Sequence, residues 1–216
     1  MFQALKNSVY ILVLLGVVCG LIYPAAITAV SGALFPEIAS GSLVYKGSIP
    51  VGSELIAQNW TKPWYFQGRP SANPGGPDNA MTSGASNAGP TSLELVESVA
   101  ERSRDLRAAN PQEASAIPQD LVTASGSGLD PDISPEGAIW QAKRIAAERD
   151  VAPDVIVALV KRMTEPPRLR ILGEPRVNVL KINLELDRLY PVKVKEPLKA
   201  KRKAPKKKAT GKRRRR

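Results

Sequence analysis

From Val9 to Val30 the chain carries no charged residue. Those 22 residues predict a helix of ~33 Å at ~1.5 Å per residue, about one hydrocarbon thickness. Gly16, Gly20 and Pro24 interrupt the run, which membrane helices tolerate better than soluble ones. A cleaved signal peptide is the competing reading. Against it, Lys6 is the only basic side chain ahead of the run, and Ala29-Val30-Ser31 is a poor-to-fair cleavage site. The run is also longer than a normal signal core. The pattern predicts a retained anchor over residues 1–32. Lys6 before the helix favours a cytoplasmic N-terminus and a domain on the far side, the next base being Lys46.

Beyond the anchor the pattern turns mixed. Leu43-Val44-Tyr45 and Leu55-Ile56-Ala57 suit short strands, punctuated by Gly47 and Gly52. Trp60, Trp64, Tyr65 and Phe66 predict a packed aromatic cluster. Residues 70–91 are rich in Pro, Gly, Ala, Ser and Asn, which predicts a long irregular loop or disorder. Thr91-Ser-Leu-Glu94 reads as a capping box opening a helix. Leu93, Val96, Ala100 and Leu106 form its apolar stripe, and Asn110-Pro111 ends it. A second helix starts from Ser134 as N-cap with Pro135 at its first position. Its stripe is Ile139, Ala142, Ile145 and Ala146. A third starts near Pro153, with Val155, Ile156, Leu159 and Val160 inward. Val177–Leu189 fits either state: Ile182, Leu184 and Leu186 alternate like a strand, while length and composition favour a helix. The fold class is α+β, with one mixed domain over residues 33–192 following the helix.

Charge changes the picture at one end only. The net charge is +11, but residues 193–216 hold 14 bases and one acid, and the remainder is −2. That tail has no apolar periodicity and predicts a disordered arm, or one that contacts nucleic acid, anionic lipid or another anionic polymer. Histidine is absent and Cys19 is the single cysteine. Ser-His-Asp triads, His-ligated zinc and internal disulfides are thereby excluded. Cys19 lies in the apolar run and reads as a lipid-facing or packing residue. No coherent set of acid, base and nucleophile remains for a secreted enzyme.

One loop is a candidate for chemistry. Ser125, Gly126, Ser127 and Gly128 lead into Asp130-Pro131-Asp132 and the helix start at Ser134. Gly-rich turns ahead of a helix can cradle phosphate through backbone amides. No Gly-Lys-Ser/Thr follows, so this is not a P-loop, and the dinucleotide fingerprint is missing too. Asp130, Asp132 and Ser134 open like a calcium loop, but Pro135 stands at the glycine position and Gln141 at that of the bidentate Glu. Two readings stay open: a tight buried turn with Asp130 bonding backbone amides, and a nucleotide contact at Ser125, Gly126, Ser127 and Gly128.

Several ordered blocks resemble the C subunit of the bacterial Kdp-type potassium-transporting ATPase. They include Leu21-Ile-Tyr-Pro24, Gly52-Ser-Glu-Leu-Ile-Ala-Gln-Asn59, Tyr65-Phe-Gln-Gly-Arg-Pro-Ser71, Ser83-Gly-Ala-Ser-Asn87, Pro118–Pro131, Ile133-Ser-Pro135 and Gly173-Glu-Pro-Arg-Val-Asn178. They span about residues 1–190. Asp132 stands where this family usually has His, and the tail has no counterpart. The resemblance favours a helix over Val177–Leu189. It implies a single-pass inner-membrane subunit with its domain on the outer, periplasmic face and no catalytic residues of its own. The implied partners are a catalytic P-type ATPase subunit, a channel-like potassium-binding subunit, a small membrane subunit and the lipid bilayer. It implies no intrinsic cofactor. ATP would enter through the complex, whose ATP affinity the chain would raise as a catalytic chaperone, besides aiding assembly. The rival reading is a membrane-anchored, polycation-tailed protein that binds nucleic acid or anionic polymers.

Overall fold

The computed structural model describes residues 1–192; the tail expected to be disordered, 193–216, lies outside the described residues. Residues Phe2–Leu34 form one apolar helix long enough to cross a membrane, with none of its most apolar stretch buried. It is built from α1 (Phe2–Val17), a π-turn (Val18–Ile22) and α2 (Tyr23–Leu34). The π-turn lies immediately before Tyr23-Pro24, where Pro24 has no N–H to donate to the carbonyl four residues back and its ring crowds that carbonyl.

The chain leaves this helix through α3, one turn over Pro36–Ala39. Gly41 N–H donates to Ile38 O and Ser42 N–H to Glu37 O, both at 3.0 Å or less. This is a Schellman pair, and Gly41 takes the left-handed conformation it needs (φ +91°). The antiparallel hairpin β1 (Leu43–Lys46) and β2 (Ile49–Ser53) follows. The second strand is therefore Ile49–Ser53, and Leu55-Ile56-Ala57, expected as a strand, forms a turn. The turn at Gly47 closes the hairpin early. Val51 is an extra residue opposite the Val44/Tyr45 step, a bulge that lets Gly52 sit inside a strand.

No helix or strand occurs between Ser53 and Leu93. Helix α4 (Leu93–Ala109) follows, then a short turn α5 (Gln119–Val122). The expected capping box does not form, because the N-cap is Ser92 and its side chain bonds no amide. Of the expected stripe only Leu106 is inward: Leu93, Val96 and Ala100 are exposed, and α4 leans on the domain through Leu95, Val99, Arg102 and Leu106. Strand β3 (Asp132–Ile133) pairs antiparallel with β4 (Val177–Asn178). Between them lie α6 (Pro135–Arg149) and α7 (Pro153–Met163), and α8 (Val179–Leu189) closes the domain.

The α6 start matches the sequence reading. Ser134 Oγ accepts from Gly137 N–H at 2.8 Å and Pro135 is the first helical residue. Ala142, Ile145 and Ala146 are buried, but Ile139 is exposed and Ala138 and Trp140 complete the stripe instead. Asp150 in left-handed conformation ends the helix. Ile156, Leu159 and Val160 of α7 are buried as expected. The ambiguous Val177–Leu189 resolves into two residues of strand and a helix capped by Asn178, whose side chain accepts from Lys181 N–H. The buried set Val179, Leu180, Ile182, Asn183 and Leu186 has helical spacing. Phe66, Ile133, Ile145, Ile156, Val177, Ile182 and Leu186 meet in one core.

Candidate functional site

The segment Pro63–Ser71 is the joint of the domain. It has no secondary structure of its own, yet its backbone is bonded on both sides by buried amide side chains. Asn183 on α8 accepts from Phe66 N–H and donates to Phe66 O, both at 2.9 Å. Gln141 on α6 does the same for Gln67, at 2.9 and 3.0 Å. Each amide imitates a neighbouring strand, so the backbone of Phe66 and Gln67, which would otherwise be costly to bury, is paired at both N–H and C=O. Phe66, wholly buried, fills the core beneath.

Two arginines of α6 complete the grip. Arg144 donates to Asn110 Oδ1 at 2.9 Å, to Gln141 Oε1 at 2.8 Å, and to the carbonyls of Pro63 and Tyr65. Burial lowers its pKa to about 10. Arg149 donates to the carbonyls of Trp64 and Tyr190 and pairs with Asp187 at 2.9 Å. It also lies 5.2 Å from the Tyr65 ring centre. Tyr65 hydroxyl donates to Asp187 at 2.7 Å, and burial first, then that bond, holds its pKa above the usual phenol value. The expected aromatic cluster packs here, with Trp60 and Tyr65 rings 4.6 Å apart.

The loop of small residues lies against this joint. Ser125 is buried, and its N–H donates to Pro70 O at 3.0 Å. Its hydroxyl accepts from Gly128 N–H at 2.7 Å. Ser127 hydroxyl accepts from Leu129 N–H, and its carbonyl accepts from Gly84 N–H and the Ser83 hydroxyl. Ser71 hydroxyl donates to Gly128 O at 2.7 Å. Gly128 has φ +70°, and a Cβ there would stand 2.7 Å from Asn73 Cβ and Gly84 O. Gly126 has no such constraint; space around it is open and its φ is not left-handed. The loop thus brings Ser125, Ser127 and Gly128 against residues 70–84, with the amides of Ser125, Gly128 and Leu129 already engaged, while Gly126 faces outward.

The carboxylates after the loop are also engaged. Asp130 bonds Asp132 N–H and pairs with Arg69 at 2.9 Å. Asp132 accepts from Asn178 Nδ2 and pairs with Arg176 at 3.1 Å. Burial is the main reason its pKa is raised; Asn178 and Arg176 oppose the shift. From Arg176 an ion chain runs through Glu165 and Lys181 to Glu54, with links of 3.1, 3.4 and 2.8 Å. It ties β3, the start of β4, α8 and the base of the hairpin. Among the described residues no group of three or more acidic or cysteine side chains is placed to hold a metal ion.

Gln141, Asn183, Arg144 and Arg149 were not singled out by sequence reasoning for these roles. One signal was available: Gln141 sits in the stripe of Ala138, Ala142 and Ile145, where an uncharged polar residue requires a buried partner.

These features define a small α+β domain carried on one apolar helix, with its polar interior given over to holding an unstructured central strap. The family model for KdpC, K+-transporting ATPase c chain, matches residues 5–188. The chain is 50% identical over 187 residues to the potassium-transporting ATPase KdpC subunit of Variovorax paradoxus (strain S110), covering 87% of this chain and 97% of that one. It is 48% identical over 192 residues to the KdpC subunit of Rhodospirillum rubrum, covering 89% and 99%. It is 46% identical over 187 residues to that of Janthinobacterium sp. (strain Marseille), covering 87% and 99%. The chain belongs to the KdpC family, subunits of the K+-transporting ATPase.

Proposed function

We propose that this chain is the membrane-anchored, non-catalytic subunit of an ATP-driven potassium importer and that it stabilises the assembled complex. The family match over residues 5–188 carries the reading. The apolar helix Phe2–Leu34 supports the anchor, and Lys6 ahead of it supports a domain on the periplasmic side. Its partners are the catalytic P-type ATPase subunit, the channel-like potassium-binding subunit and the small membrane subunit. The loop Ser125–Gly128 acts as a scaffold turn: its two hydroxyls, its carbonyls at Ser127 and Gly128, and its amides at Ser125 and Gly128 hold residues 70–84 and the loop itself. ATP affinity is then raised indirectly, through the conformer of the complex that this subunit favours.

The test is co-purification from membranes, followed by potassium-stimulated ATP hydrolysis with and without this chain. The expected result is a stable multi-subunit complex whose ATP half-saturation rises when the chain is withheld. Direct ATP binding by the chain alone, abolished by Gly126→Val without loss of assembly, would assign the loop to nucleotide instead.

A further inference from the structure

We propose that α3 and the β1–β2 hairpin form a collar seated in the interfacial layer of the bilayer, with lipid as its occupant. The proposal rests on the reading of Phe2–Leu34 as a membrane span. The span is longer than the hydrocarbon requires. Counting ~30 Å from Val9 at ~1.5 Å per residue places the hydrocarbon edge near Thr28, about two turns before the helix ends. Upright, Leu34 would stand ~9 Å beyond that edge; at the ~20° tilt usual for such helices it lies ~5 Å beyond the hydrocarbon, among the headgroups.

The residues at this level are unusually apolar for a surface. Phe35, Ile38, Tyr45 and Ile49 are each between 57% and 67% exposed, and Leu34 and Leu43 are exposed beside them. They are not scattered. The Schellman turn at Gly41 folds β1 back onto α3, so that Ile38, Leu43 and Tyr45 line one open groove with Glu37, Ser40 and Ser42. The opposite side of the hairpin belongs to the domain: a Cβ at Gly52 would stand 3.0 Å from Leu180 of α8. Glu54 closes the inner end of the groove, where Lys181 pairs with it. Val44 and Gly52 are thus committed to protein, Leu43 and Tyr45 on the other side of the hairpin are left over, and Ile49 is exposed at its tip beyond the domain.

Tyr45, with an apolar ring and a polar tip, favours the wet edge of a membrane, Phe35 adds apolar surface below it, and Lys46 at the hairpin tip has the long stem that reaches headgroup phosphate. A collar of this kind fixes the height and tilt of the domain over the membrane, which a single helix with a free hinge cannot do.

The test uses the full chain, reconstituted with and without its co-purified partner subunits in phosphatidylethanolamine/phosphatidylglycerol vesicles. An environment-sensitive fluorophore is placed on Ile38→Cys and, separately, on Ile49→Cys, each in a Cys19→Ala background. Nitroxide on the lipid headgroup region should quench both probes several-fold more strongly than aqueous iodide. A water-like emission quenched by iodide would overturn the collar. So would a shielded emission that neither quencher reaches, which would show a protein partner covering the face. The same fluorophore on native Cys19, near the centre of the span, is the control. Its failure to be quenched by a deep nitroxide lipid would break the span reading itself, which is then distinguishable from failure of the collar alone.

Discussion

Helices α4 and α6 have nearly equal lengths and similar openings, and they end in opposite environments. Each follows a serine in extended conformation with an acid in its first turn. Nine of the 15 residues of α6 are buried, whereas none of the 17 of α4 is. The difference is that α6 has partners on every inward side: α7 behind it, and the Pro63–Ser71 strap beneath it. Helix α4 touches the domain through a single narrow line of side chains. Local start signals specify that a helix forms; only long-range partners specify what it carries.

The contrast predicts a steep gradient of mutational effects. Ile145→Ala in α6 should cost ~2–5 kcal/mol, because it leaves a cavity in a closed core. Val96→Ala on the outer side of α4 should stay within about 0.5 kcal/mol. Thermal melts of the purified full chain in detergent check both, and equal losses would break the comparison.

The loop offers a second pair. Gly128→Val requires a β-branched residue at φ +70° against Asn73 and Gly84, and should lower stability by more than about 2 kcal/mol and reduce the yield of assembled complex. Gly126→Val meets open space and should leave yield near wild type. The two glycines look interchangeable in the sequence, so a matching loss at Gly126 would show that its surface is itself a contact.

The caps give a smaller effect of known sign. Ser134→Ala removes a bonded N-cap and should cost ~1 kcal/mol. Ser92→Ala removes a side chain that caps nothing and should be nearly silent in the same melts.

The smallest effect is a slope. Because burial holds the Asp132 carboxyl above the ordinary aspartate value, the folded chain binds that proton more tightly than the unfolded chain. Its contribution to stability therefore falls as pH rises from the ordinary aspartate value through the raised one. Asp132→Asn should flatten that fall above the ordinary aspartate value and change neutral stability by less than about 1 kcal/mol. Melting temperature against pH for the two proteins checks it, and an unchanged slope would count against a buried, titrating Asp132.

Legibility in the sequence divides along the same line. The apolar run, the α6 start at Ser134 and the inward residues of α7 were legible, because each is encoded within a few neighbours. The face of α4 was misread, since Leu93 and Val96 are apolar at helical spacing yet nothing packs on them. The second strand was expected at Leu55–Ala57 because β-friendly residues cluster there. The bulge at Val51 puts pairing earlier, across Pro50 and Gly52, which no propensity favours. The strap was legible only as its aromatic cluster, and the clamps that hold its backbone escaped. Its bonds join residues 74 and 117 positions apart, and an Asn or Gln shows its partner only once the fold brings one within 3 Å. The small-residue loop was visible as a motif through Ser125–Gly128, but its contacts with residues 70–84 were not.

The amide clamps carry a consequence for the conditions the protein tolerates. The bonds of Gln141 and Asn183 to the strap involve no ionisable group, and Arg144 beside them titrates only near 10. From residue 35 to 192 the chain contains neither histidine nor cysteine. The centre of this domain therefore has no proton to gain or lose anywhere near neutrality. Around neutrality this joint keeps the same charge and the same bonds.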